Sequence, residues 1–320
     1  MDSSALNGQH AAMPVLQVDA LRKRYGHVVA VDGVDLTVKE GEVHGLLGPN
    51  GSGKTTTLSC CLGLLKATSG TIEVLGEPAS ELYRTNGRVG VVFDSPHLLV
   101  GRTVSTNLAY AARVRGHTGG RTHLDALQRV GLTGFEERRA GSLSLGQRKR
   151  LSIAIALAGS PEFLVLDEPL SGLDPMGVRE ILSLVRELAR EGLSILLSTH
   201  RLLDVESVLD SASILLAGKV AKSGPLDELL KTGGRCRVRV DDVSIARKAL
   251  GGVGFGATVT ATEAQTGPGE LIIEATDLDP AQVARALVEG GVGLLSLESA
   301  RPTLATLFED LVDAGAQVQA

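Results

Sequence analysis

The apolar positions of this chain fall into short runs divided by glycine-rich turns, and their period changes along its length. Residues 17–24, 28–31, 34–38 and 43–47 read as strands, with Asp32-Gly33 predicted to turn between the second and third. The run 43–47 is unbroken and stops at Gly48, the pattern of a strand buried on both faces. Leu58, Cys61, Leu62 and Leu65 then recur at helical spacing and predict a helix over 54–66. Strands are expected at 72–75 and 89–93. From 103 to 158 the period becomes helical, with helices near 105–114, 122–130 and 146–158 between Gly- and Thr-rich loops. Alternation then resumes: a strand at 163–166, a helix over 175–190 opened by Asp174-Pro175, a strand at 194–198, a helix at 201–208 and a strand at 212–216. Strands alternating with helices imply a mostly parallel sheet covered by helices.

The pattern restarts near Gly233. Strands at 235–240, 257–261, 271–274 and 292–297, with helices at 244–250 and 279–289, give the order β-α-β-β-α-β of a small ferredoxin-like domain, followed by a last helix at 303–312. The organisation expected is a flexible tail over 1–14, a main domain over 15–232 with a helical part near 95–160, and an accessory domain over 233–320.

Composition narrows the function classes. With 32 Lys plus Arg against 37 Asp plus Glu, the formal net charge is -5, which argues against a broadly basic nucleic-acid binder. Three Tyr, five Phe and no Trp leave little surface for stacking bases. Cys60, Cys61 and Cys236 make no disulfide framework and suit a reducing compartment. The start carries no signal-peptide pattern, and no apolar run is long enough to span a bilayer, so a cytoplasmic location is expected.

The chemistry is concentrated in Gly48-Pro49-Asn50-Gly51-Ser52-Gly53-Lys54-Thr55, which fits G-x-x-x-x-G-K-[ST] between an apolar strand and a helix. The glycines let backbone N–H groups wrap an anion, and the following helix adds positive charge at its start. Lys54 is expected to reach the β- and γ-phosphates, Thr55 to ligate Mg²⁺, and Thr56 to line the same pocket. A second apolar strand delivers Asp167 and Glu168 to its carboxyl end. Asp167 suits the Mg²⁺ shell, and Glu168 the attacking water.

These residues together resemble the nucleotide-binding subunits of ATP-binding cassette (ABC) transporters over about residues 15–230. Leu143-Ser144-Leu145-Gly146-Gln147 resembles the family's LSGGQ sequence, Ser171-Gly172-Leu173-Asp174 the loop that joins two active sites, and Ser198-Thr199-His200 the switch histidine. Tyr25 stands where the family places an aromatic on adenine. The resemblance implies an α/β P-loop NTPase cassette with an antiparallel β part and a helical insertion. It also implies ATP and Mg²⁺ as ligands, and a homodimer in which Ser144, Gly146 and Gln147 of one copy close the nucleotide site of the other. A separate membrane permease, reached from the inner face of the cell membrane, would be the driven partner. Loop 95–105 would supply the groove for a permease helix, or else pack within the helical insertion.

Two departures stand out. Asp94 replaces the Gln that the family places after the strand at 89–93; it can bind Mg²⁺, with altered geometry and slower turnover expected. Leu145 replaces a glycine and is expected to turn toward the local helical core. Both variants, with the accessory domain, resemble the branch that exports antibiotics and other amphiphiles. The alternatives are a soluble cassette ATPase in DNA repair or translation, and a nucleotide-sensing module.

Overall fold

The computed structural model describes residues 14–114, 120–230, 234–251, 258–261, 267–275, 279–300 and 302–318. The tail expected at the start, apart from Pro14, and most of the loop expected at 115–121 lie outside these. The chain divides at Gly224–Pro225 into two compact units.

The first unit contains β1 (Pro14–Tyr25), β2 (Val28–Lys39), β3 (Val43–Leu47), α1 (Lys54–Cys61), β4 (Ser69–Val74), β5 (Glu77–Pro78) and β6 (Val89–Val92). After these come α2 (Val104–Val114), α3 (Gly120–Arg129), α4 (Leu145–Leu157), β7 (Phe163–Asp167), α5 (Pro175–Arg190), β8 (Ser194–Thr199), α6 (Leu202–Val205), β9 (Ser211–Leu216) and β10 (Lys219–Pro225). Strands β2-β1-β4-β5 form an antiparallel sheet, and β10-β9-β3-β8-β7-β6 a second one. In the second sheet β3 pairs parallel with β8 and β9, and β7 parallel with β6 and β8. Every residue of β3, β7 and β8 is buried, which explains their unalternating apolar sequences: helices or a second sheet cover both faces. Because these strands are parallel, their carboxyl ends emerge along one edge. Strand β8 lies between β3 and β7, so whatever follows β8 stands between the loops that follow the other two.

Several elements differ from the sequence expectation, each for a local reason. Asp32-Gly33 makes no turn: β2 runs straight through, and Gly33 is left unpaired between the pairs Leu21–Val34 and Arg22–Asp32 as a bulge. Helix α1 stops at Cys61, short of residue 66. The N–H of Gly63 bonds the Cys60 carbonyl and that of Leu64 the Ser59 carbonyl, with Gly63 at φ +66°, a left-handed cap that ends the helix. The helix expected at 201–208 is only the single turn α6 followed by a 3-10 turn at Glu206–Val208. Strand β10 carries no apolar run to mark it in the sequence: none of its residues is buried, and two lysines, a serine, a glycine and a proline leave only Val220 and Ala221 as apolar positions. Helix α5 matches expectation: the Asp174 carboxylate accepts from the Gly177 N–H at 2.8 Å, and Pro175 occupies the first turn.

The second unit begins with α7 (Leu226–Leu229) and contains β11 (Gly234–Val240), α8 (Val243–Gly251), β12 (Thr258–Ala261), β13 (Gly269–Ala275), α9 (Pro280–Glu289), β14 (Leu294–Ala300) and α10 (Leu304–Val318). The antiparallel sheet order β12-β13-β11-β14 is that of the ferredoxin-like arrangement. Cys236, Val238 and Val240 of β11 pack with Ala246 and Leu250 of α8 and Val283 and Leu287 of α9 into its own core.

Candidate nucleotide site

The loop from Gly48 to Gly53 leaves the carboxyl end of β3. It is anchored at its start by the Gly48 N–H to the Thr199 carbonyl, 3.3 Å, and at its end by the Gly218 N–H to the Ser52 carbonyl, 2.9 Å. Gly48 is required by close approach: a Cβ there would lie 2.3 Å from the Leu215 carbonyl oxygen and 2.7 Å from Ser52 Oγ. Pro49, Asn50 and Gly51 form an exposed crown, whereas Ser52 is buried and its hydroxyl finds no protein partner. A buried, unsatisfied donor beside an open loop of backbone N–H groups suits an anion.

Lys54 opens α1 and its side chain is only 6% exposed. Its ammonium donates to the carbonyls of Gly48 at 2.8 Å and Pro49 at 3.1 Å, and lies 3.2 Å from Glu168 Oε1. Thr55 is exposed, with its hydroxyl 3.3 and 3.5 Å from the two oxygens of Asp167; Thr56 beside it is half-buried. Burial pushes the Asp167 carboxyl up from its ordinary value, with the charges of Glu168 and Asp94 adding to the shift and bonds from Ser198 and Thr55 opposing it. A carboxylate held at such a cost next to a hydroxyl is a suitable pair for a divalent cation. Among the described residues no three acids, histidines or cysteines cluster into a cage. The Thr55–Asp167 pair itself suits Mg²⁺, which is commonly bound through one or two protein oxygens with water and phosphate oxygens completing its shell.

Glu168 follows Asp167 with φ +47°, a left-handed conformation that is strained for a residue with a side chain. That turn swings its carboxylate into the cluster. Oε1 meets Lys54, and Oε2 lies 3.0 Å from His200 Nδ1. His200 is 42% exposed at the end of β8. Lys54, Asp167, Glu168 and His200 therefore meet across three adjacent strand ends, as the topology requires.

Ser198 also belongs to the cluster. Its buried hydroxyl donates to Asp167 Oδ1 at 2.6 Å and accepts from the Glu168 N–H at 3.1 Å, fixing both acids. The sequence signal was a serine directly after the apolar run Ile195–Leu197 of β8. Lys149 was also passed over as one of three basic residues on a helix. It is buried, with its ammonium 2.9 Å from the Glu168 carbonyl and 3.4 Å from Asp94 Oδ1. Asp94, 53% exposed, thus has an intramolecular cation as its partner. Burial lowers the Lys149 ammonium from its ordinary value, and Asp94 opposes that shift.

The remaining expected residues stand apart from these hydrogen bonds. Ser144 is the exposed cap of α4: its hydroxyl accepts from the Gln147 N–H at 3.2 Å while the Gln147 side chain accepts from the Ser144 N–H at 3.0 Å, a capping box. The half-buried Gly146 is the second residue of α4, so its N–H is among the helix-start groups that the helix itself leaves without a partner. Leu145 does not turn into the helical core. It is half-buried over Gly172, where a Cβ would lie 3.0 Å from Leu145 Cδ2, so it supports the 171–174 loop. Tyr25 ends β1, 46% exposed, with the Lys23 ammonium 5.0 Å from its ring centre.

Comparison with known proteins fits this geometry. Residues 31–171 match the family model described as ABC transporter. The methionine import ATP-binding protein MetN of Streptomyces avermitilis is 41% identical over 67% of this chain and 66% of its own length, so the chain spans about two thirds of that relative. The bacitracin transport ATP-binding protein BcrA of Bacillus licheniformis is 38% identical over 68% of this chain and 72% of its own. The daunorubicin resistance ATP-binding protein DrrA3 of Streptomyces coeruleorubidus is 36% identical over 92% of this chain and 94% of its own. Among solved structures, cbiO1 from Clostridium perfringens, part of an ABC transporter complex, superposes with a TM-score of 0.62 at 33% identity, covering 68% of this chain and 90% of that one. The dimeric bacterial cassette MJ0796 gives 0.61 at 27% identity, covering 66% and 98%. With the Gly48–Thr55 loop, the paired acids Asp167 and Glu168 and the capped helix α4 on that fold, the chain belongs to the ABC transporter ATP-binding proteins, a family of ATPases.

Proposed function

We propose that this chain binds and hydrolyses ATP as a pair of copies that drives a separate membrane permease, exporting an antibiotic or other amphiphile. The observation that carries the reading is the convergence of Lys54, Thr55, Asp167, Glu168 and His200 at the carboxyl ends of β3, β7 and β8. Mg²⁺, when bound between Thr55, Asp167 and the nucleotide, supplies charge neutralisation at the transferring phosphoryl group. Asp94, whose charge adds to the upward shift of the Asp167 carboxyl, is a further candidate for that shell.

The remaining work belongs to the chain's own groups. The loop N–H groups and Lys54 hold the phosphate tail, with Tyr25 offered to the base. Lys54 is satisfied here by Glu168 and two carbonyls. When it turns to a phosphate it releases Glu168 Oε1, which then orients the attacking water and takes its proton. His200 holds Glu168 Oε2 and donates toward the γ-phosphate. Ser144, with Gly146 and Gln147 at the start of α4, closes the partner copy's site.

Export rather than import is supported by the breadth of the DrrA3 match, which runs through the second unit, whereas the MetN match covers 67% of this chain. Among the described residues no helix is long and apolar enough to cross a membrane. A cytoplasmic subunit peripheral to the inner face of the membrane, acting on a separate permease, fits that finding. Exposed Phe93, Leu99, Val100 and Tyr110 suit the permease contact. The test is co-expression with candidate permeases in drug-sensitive cells loaded with a fluorescent amphiphile. Export predicts faster efflux that is lost with Glu168→Gln; ATP-dependent uptake of methionine instead would overturn the direction.

A further inference from the structure

Lys149 sits one turn into α4, 2% exposed, in a place where an apolar side chain would cost less. Its ammonium is held by the Glu168 carbonyl at 2.9 Å and Asp94 Oδ1 at 3.4 Å. The carbonyl it binds belongs to the residue at φ +47° whose carboxylate bridges Lys54 and His200. A second donor, the Ser171 N–H at 3.2 Å, shares that carbonyl. Ser198 holds the N–H side of the same peptide turn at 3.1 Å. The strained turn is thus fixed from both sides, and one of these three holds comes from α4, the helix capped by Ser144.

We propose that Lys149 is a positioning residue for hydrolysis: by binding the Glu168 carbonyl it keeps the left-handed turn that aims the Glu168 carboxylate, and it ties that aim to the position of α4. Asp94 compensates the buried charge. The proposal rests on the reading of Glu168 as the group that faces the attacking water. Lys149 itself touches no substrate, so its loss lowers the chemical step and leaves nucleotide binding in place. An ordinary structural ion pair would instead affect stability alone.

The test is steady-state ATPase and titration of a fluorescent ATP analogue on the full chain, with rates expressed per binding-competent site. Lys149→Met keeps the buried stem and deletes the donor; kcat falls about tenfold or more while analogue affinity stays within about threefold. Lys149→Gln restores an N–H donor and returns kcat to within about threefold of the parent. Should Lys149→Met fail to fold, Lys149→Leu replaces it with the same expectation. An unchanged kcat in the apolar variant, or a Gln variant as slow as the Met variant, overturns the proposal and leaves the ATPase reading standing. A parent chain no faster than its Lys54→Ala variant overturns the ATPase reading itself, and this proposal with it.

Discussion

Removing the Lys54 ammonium is the sharpest single perturbation of the phosphate loop. The side chain is 6% exposed and its three partners lie at 2.8, 3.1 and 3.2 Å. Lys54→Ala removes a charged donor from a site where opposite charges about 4 Å apart interact by about 4 kcal/mol at an effective dielectric near 20. Hydrogen bonds to charged groups are worth about 1.5–3 kcal/mol each. A loss of about 3–4 kcal/mol toward a phosphate is two to three orders of magnitude in Kd. Glu168 keeps His200 as a partner at 3.0 Å but loses its buried cation, so the substitution also costs fold stability. The assay is titration of a fluorescent ATP analogue in Mg²⁺, with circular dichroism on the same samples. Affinity within about threefold of the parent in a folded variant would refute the assignment of this loop to the phosphates.

Other expectations are as direct. Ser144→Ala deletes the cap of α4, worth about 1 kcal/mol, and lowers Tm by about 2–4 °C. If the same hydroxyl also closes a partner's site, ATPase activity falls far beyond that small loss, and parallel rate and melting measurements separate the two. Burial, with Cys60 beside it, pushes the Cys61 thiol up to about 12, so its thiolate fraction at pH 8 is on the order of 10⁻⁴. Because Cys60 and Cys236 are also buried, a thiol reagent at pH 8 labels the native chain only as fast as it unfolds. Rapid stoichiometric labelling without denaturant would contradict the buried placement.

Much of the site was legible in the sequence because its chemistry is carried by contiguous motifs at strand ends. Gly48 to Thr55 announces the turn between β3 and α1, and the apolar run before Asp167 announces the strand that delivers it. The motif residues' own neighbours were less visible. Ser198 and Lys149 act on Asp167 and Glu168 from distant parts of the chain, and nothing local distinguishes Lys149 from the arginines on either side of it. The pairing of Asp94 with Lys149 is a tertiary fact that changes the meaning of the Asp94 departure: its charge is matched within the same copy. Leu145 differs for a related reason, since it packs on Gly172 of the 171–174 loop, a tertiary neighbour that its own stretch of sequence does not show. In the fold, buried strands and the proline-opened α5 followed their patterns. Two of the misses were decided by single glycines: Gly63 ends α1 through a left-handed cap, and Gly33 is absorbed as a bulge where a turn was expected.

The central claim is that two copies share their nucleotide sites, each phosphate loop being closed by the other's Ser144. Sedimentation of Glu168→Gln in Mg²⁺ and ATP tests it most directly, because that variant keeps the shape of the site and lacks the carboxylate proposed to activate water. The account predicts a species of about twice the 33.3 kDa chain mass that appears only with ATP and disappears when Ser144 is replaced by a bulky residue. A variant that binds ATP tightly yet sediments as a single chain at high protein concentration would contradict it.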